Sequence, residues 1–259
     1  MVPADELHRF LRAGFVVVAI DYRLAPETKL PEIVRDVEDA HRWIRARGAT
    51  LFRGDRNRVA DVGASGGAYL ALLAGARVEP RLRAVVSFYG YGDVTGPWYS
   101  RPDRFFSTLP RVSRAEAMRA IGQREISGAP PGGDRWAFYV YCRQNGLWPR
   151  EVVGLDPDLQ KQRFARYSVE RLITPTYPAT LLLHGDQDVD VPIAMSERLA
   201  AIFGRQGVPH EFIRLEGFNH AFDVFDVYPP KGVPVGLRRP RASEAFDAVI
   251  SFLTTRLRS

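Results

Sequence analysis

The apolar positions of this chain fall into short runs separated by amphipathic stretches, and each pattern predicts an element. Phe15-Val-Val-Val-Ala-Ile20 reads as a strand, preceded by a helix from Pro3 to Gly14. Ile33, Val37, Ala40 and Ile44 recur at helical spacing and predict a helix from Pro31 to Gly48, with His41 on its surface. Val59-Ala-Asp-Val62 predicts a strand running into a helix over Ala68–Gly75, and Arg83–Tyr89 predicts another strand. Further on, Arg114–Gly122 and Trp136–Asn145 are helix-like, Thr180–Gly185 reads as a buried strand, Ile193–Phe203 as a helix with Pro192 at its first position, and Glu211–Leu215 as a strand.

The chemistry lies where strands end. Gly63-Ala-Ser-Gly-Gly67 joins a predicted strand to a predicted helix, which makes it a G-x-S-x-G elbow rather than a loose glycine-rich turn. Such a turn strains the backbone and lifts the Ser65 hydroxyl above the sheet. Two later loops also follow strands directly: Asp186-Gln-Asp-Val-Asp-Val-Pro192 and Glu216-Gly-Phe-Asn-His-Ala-Phe222. In an open parallel sheet this is the edge where ligands bind. A serine hydroxyl is a weak nucleophile until an imidazole takes its proton, and a carboxylate fixes the imidazole tautomer. Asp186, Asp188 and Asp190 can each supply that carboxylate.

The elbow, Asp21-Tyr-Arg-Leu-Ala-Pro-Glu27, His184-Gly-Asp-Gln-Asp-Val-Asp-Val-Pro192 and Gly217-Phe-Asn-His-Ala-Phe222 together resemble the α/β-hydrolases of the esterase/lipase group, which includes hormone-sensitive-lipase-like and acetyl-esterase-like enzymes. The likeness covers residues 4–90 and 176–258. It implies a mostly parallel sheet with flanking helices, forming one α/β domain over 1–259, with a helical cap insertion at 91–175. That insertion is rich in aromatic residues, which predict a small satellite core or an apolar wall over Ser65. The resemblance also implies Ser65 as nucleophile, His220 as general base and acid, Asp188 as the orienting acid and the Gly66 N–H as an oxyanion-hole donor. The implied activity is hydrolysis of short-chain or small acyl esters without cofactor or metal. Peptidase and lactonase chemistry stay open on the same scaffold, as does a non-catalytic protein that binds a ligand or partner through this pocket.

One part of the family pattern is not found. The glycine-rich His-Gly-Gly-type loop and the strand before it are expected upstream of the first helix, and Pro131-Gly-Gly133, with no strand before it, does not replace them. This predicts an N-terminally truncated domain, impaired in activity, in which strand 15–20 lacks its neighbour or slides across to pair with 58–62.

The Asp-x-Asp-x-Asp run mimics a calcium loop with Glu197 at its twelfth position, but Val191 stands where that loop needs glycine. His8, His41, His184 and His210 are read as structural, with His184 holding the acid loop together. Cys142 is the single cysteine, so no internal disulfide forms. At 259 residues and 46% hydrophobic content the chain can bury a large core, and no run is apolar enough to span a membrane. The net charge of +6 comes from scattered arginines, the densest group being Arg238-Arg239-Arg241. They form no stripe interleaved with aromatics, so a nucleic-acid partner is not expected.

Overall fold

The computed structural model describes residues 3–128, 135–224 and 239–258. Pro131–Gly133 and Arg238 lie outside them. The elements run in the order α1 (Ala4–Arg12), α2 (Leu30–Phe52), β1 (Ala60–Ala64), α3 (Gly66–Arg77), β2 (Ala84–Phe88), α4 (Trp136–Asn145), α5 (Trp148–Val153), β3 (Ala179–Gly185), α6 (Ala194–Gln206), β4 (His210–Leu215) and α7 (Pro240–Arg258). Short helical turns fill residues 97–120 and 161–172. No helix among the described residues is long and apolar enough to cross a membrane.

The chain divides into two compact units. The first comprises residues 1–19, 40–92 and 169–259 and holds a four-stranded sheet in the order β1-β2-β3-β4, every pair parallel. In register, Val62 lies beside Val86, Val86 beside Leu181, and Leu181 beside Glu211. β2 is buried along its whole length and β3 nearly so. That is why both read as continuous apolar runs rather than alternating ones: parallel strands are covered on both faces. On one face Phe88, Leu181 and Leu183 pack with Phe246, Val249 and Phe252 of α7 and Phe10 of α1. Phe246 is fully buried, with its ring edge-on to Phe10 and stacked near Phe88. Each such side chain contributes on the order of 1.5–3 kcal/mol through loss of water contact.

Residues 15–20 do not form the predicted strand. Phe15 and Val17 turn toward the core, while Val16 and Val18 are exposed, so the alternation of a strand is there. What is missing is a ladder. Among the described residues β1 pairs only with β2, which leaves β1 at the sheet edge with Val62 exposed, and 15–20 does not slide onto 58–62. An apolar alternation fixes which face is buried, but a strand also needs a hydrogen-bonded neighbour. Two smaller differences follow local chemistry. α2 continues past Gly48 to Phe52, and α6 begins at Ala194 with Ile193 as its cap, so Pro192 precedes the helix.

The second unit comprises residues 20–39 and 93–168. Its centre is Arg143 on α4, which is 1% exposed. The guanidinium lies over the rings of Phe106, Tyr99, Tyr139 and Trp98 at 4.4–5.6 Å and pairs with Asp103 at 3.1 Å. Arg135 holds the buried carboxylate of Glu27 with two bonds of 2.8 Å, and Arg23 holds Asp36 in the same forked way.

Candidate active site

Ser65 occupies the turn between β1 and α3 with φ 53° and ψ −119°, a conformation that costs a non-glycine residue of order 1–3 kcal/mol. The turn is held by Ser65 N–H donating to the Phe88 carbonyl at 3.0 Å and by Tyr69 N–H donating to the Ser65 carbonyl at 3.1 Å. Gly63 makes the turn possible, since a Cβ there would meet the Gly67 carbonyl oxygen at 2.3 Å. Gly66, by contrast, has room for a side chain; it is the first residue of α3.

The acid and histidine loops follow β3 and β4, neighbouring strands. They cross at Gly185, where a Cβ would lie 2.2 Å from the Phe218 carbonyl oxygen. Asn219 ties them together: its side-chain oxygen accepts from the backbone N–H of Val189 at 3.1 Å and of His220 at 2.8 Å. This places His220 Nδ1 2.7 Å from Asp188 Oδ2 and His220 Nε2 3.0 Å from Ser65 Oγ. Asp188 and Ser65 are therefore each brought within hydrogen-bond reach of His220, on opposite nitrogens of its ring. The other two aspartates go elsewhere. Asp186 accepts from the Gly217 N–H and faces Arg214, and Asp190 approaches His220 Nε2 only to 3.9 Å. Among the described residues no group of three or more acidic, histidine or cysteine side chains is arranged to hold a metal ion.

The electrostatics set the proton positions. Burial alone would push the Asp188 carboxyl up, but hydrogen bonds from His184 and His220 outweigh it and hold it at about 2. Its Oδ1 also accepts from the backbone N–H of Asp190 and Val191, each at 2.8 Å. Asp188 is thus an ionised acceptor, so Nδ1 of His220 carries the hydrogen and Nε2 is free to accept from Ser65. Burial disfavours the His220 imidazolium, yet the bond and charge of Asp188, with Asp190 and Asp223 beyond, raise its pKa above the ordinary 6.5.

His184 is fully buried, as expected of a residue bracing the acid loop. Its Nδ1 meets Ser196 Oγ at 2.8 Å, and its Nε2 meets the Val191 carbonyl at 2.9 Å and Asp188 Oδ2 at 3.2 Å. His41 is not on the helix surface: it is 3% exposed and bonds Asp61 of β1 at 3.0 Å. Sequence reasoning also passed over Asn219, Tyr89 and Asp223. Asn219 carried a signal, since a short amide directly before a loop histidine can cap backbone donors.

A BD-FAE family model matches residues 2–104, and a prolyl oligopeptidase family model matches residues 136–228. Esterase LipC of Mycobacterium tuberculosis is 29% identical over 225 residues, which cover 85% of this chain and 48% of LipC. Non-reducing polyketide synthase Preu6 of Preussia isomera is 29% identical over 254 residues, covering 83% of this chain and 11% of that protein. The chain therefore spans about half the length of one of these curated relatives and about a tenth of the other. An alpha/beta hydrolase superfamily protein from Enterococcus faecalis superimposes with a TM-score of 0.73 at 22% identity, covering 98% of this chain and 84% of that one; at such identity the likeness shows the fold. With a parallel sheet flanked by helices and these family and structural matches, the chain has the α/β-hydrolase fold, and esterases are among the proteins it is similar to.

Proposed function

We propose that the chain hydrolyses carboxylic esters of short or small acyl groups through an acyl-enzyme on Ser65. The observation that carries this reading is the continuous line of short contacts from Asp188 through His220 to Ser65 Oγ, at 2.7 and 3.0 Å, ending on a serine held in a strained turn. Ser65 Oγ attacks the ester carbonyl as its proton passes to Nε2 of His220. The imidazolium formed is stabilised by Asp188 and then gives the proton to the leaving alcohol. Water, deprotonated by the same nitrogen, releases the acid and restores Ser65. The negative oxygen of each tetrahedral intermediate is met by the Gly66 N–H. This group begins α3 and is among the amides that have no carbonyl partner within the helix. The residues provide a nucleophile, a base and an acid within one proton path, so the chemistry calls on no metal or organic cofactor.

The prolyl oligopeptidase match over residues 136–228 favours a second reading, in which the same nucleophile cleaves a small amide or peptide. The two separate in one assay. Turnover of p-nitrophenyl acetate and butyrate, lost in Ser65→Ala, is expected, with little cleavage of aminoacyl p-nitroanilides. Preference for the anilides selects the second reading. No turnover of either would favour a binding protein over an enzyme.

A further inference from the structure

A second buried acidic group lies behind the histidine. The Tyr89 ring, just past the end of β2, packs against the His220 imidazole with centroids 4.5 Å apart. Tyr89 donates its hydroxyl hydrogen to Asp223 Oδ1 at 2.6 Å. Asp223 is 4% exposed and lies on the same turn as His220, three residues on, with Ala221 between them at φ 58°. Glu6 of α1, 6% exposed, lies close enough to Asp223 for the two buried carboxyls to interact directly. The chain thus runs from the first helix through Glu6, Asp223 and Tyr89 to the ring of His220.

Two carboxyls in contact inside a protein do not both ionise, because burial and mutual repulsion leave one of them with a proton. Glu6 is the member that burial and the neighbouring charge keep protonated, while Asp223 accepts the Tyr89 hydroxyl hydrogen. Burial, then the Asp223 charge, push the Glu6 carboxyl up to about 9. Neither Glu6 nor Asp223 touches Ser65 or Asp188 in any described bond, so the pair adds a charge without entering the proton path.

We propose that Asp223 is a positioning residue for His220: it holds one buried negative charge behind the imidazole and, through Tyr89, fixes the ring against Ser65, while Glu6 serves as its neutral hydrogen-bond donor. This rests on the reading of His220 as the base. Among the described residues, the titratable groups facing His220 are Asp188 on Nδ1, Ser65 and Asp190 toward Nε2, Tyr89 on the ring face and Asp223, with His184 reaching it only through Asp188 and Glu6 only through Asp223.

The arrangement makes an asymmetric prediction about two acidic side chains. In protein with ¹³C-labelled histidine, the His220 Cε1–H signal, assigned by its loss in His220→Gln, is followed as pH is varied. Asp223→Asn removes a charge and lowers the His220 midpoint by about one pH unit, the lower end of what a nearby carboxylate supplies. Glu6→Gln replaces a neutral donor with a neutral donor and leaves the midpoint at its wild-type value. Should Asp223→Asn fail to fold, Tyr89→Phe keeps the ring but removes the hydroxyl that stabilises the Asp223 charge, and shifts the midpoint the same way by less. An unmoved midpoint in Asp223→Asn, or in Tyr89→Phe if that variant must stand in, overturns the proposal, as does an equal shift in Glu6→Gln. The signal is read without substrate. A chain that shows these shifts yet turns over no ester refutes the proposed activity, not the role of Asp223.

Discussion

Asp188 and Arg143 are both buried charges, one in each compact unit, and they are stabilised by different means. Asp188 is met by two imidazoles, Nδ1 of His220 at 2.7 Å and Nε2 of His184 at 3.2 Å, and by two backbone N–H groups. Arg143 is met by the faces of four aromatic rings and one carboxylate. A guanidinium does not lose its proton in a protein, so Arg143 keeps its charge and has one job, which is to hold Trp98, Tyr99, Asp103, Phe106 and Tyr139 around it. The Asp188 cluster has an exchangeable proton at its far end, on Ser65. Burial of a charge therefore does not by itself mark a reactive site. A buried charge joined to a titratable group that can reach solvent does.

The contrast can be broken most severely at Arg143. Arg143→Met leaves Asp103 without its partner and opens the ring cluster, and is expected to cost about 3–5 kcal/mol, the range for breaking a buried pair from one side. Urea unfolding followed by tryptophan fluorescence reads this directly, since Trp98, Trp136 and Trp148 all lie in this unit. A loss below about 1 kcal/mol, the level of an exposed pair, would mean that the cluster is not the core of its unit.

The Asp188 side makes its prediction through pH. The base must be neutral to act, and His220 is held above the ordinary 6.5 by its carboxylate neighbours. kcat/KM is therefore expected to rise with pH and to reach half its maximum above 6.5, changing about tenfold per pH unit on the acid side. The stability sign is the opposite. His220 binds its proton more tightly folded than unfolded, so its contribution is complete below 6.5 and is lost as pH rises through its folded pKa. An acid-limb midpoint below 6.5 would show that burial, rather than the carboxylates, dominates His220.

The legible parts of the molecule were those whose local pattern and tertiary role agree. Ser65 and His220 each sit in a loop directly after a strand, so a reading of strands and turns points to them; that reading leaves Asp186, Asp188 and Asp190 open, the family resemblance singles out Asp188, and the structure places Asp188 beside His220 Nδ1. β2 and β3 were legible because continuous burial leaves an unbroken apolar run. Residues 15–20 were misread because Phe15 and Val17 against Val16 and Val18 carry the alternation of a strand without its ladder. His41 was misread because its partner Asp61 lies on β1, and a helical stripe says nothing about a buried polar pair across elements. Glu6 was invisible for the same reason. On α1 it reads as an ordinary acidic residue in a first helical turn, and only the packing of that helix against the sheet brings it to Asp223. Long-range polar contacts leave no periodicity.

The central claim is that Ser65 is the nucleophile of a serine hydrolase, activated by His220. Its most direct test is covalent capture. A fluorophosphonate incubated with the folded chain near pH 8, followed by mass spectrometry of the peptide containing Gly63–Gly67, should place one phosphonyl group on Ser65. His220→Gln should slow the labelling by at least about 10³, as loss of the base does in such triads. A wild-type chain that stays unlabelled at Ser65, or labels there equally fast without His220, would contradict the account.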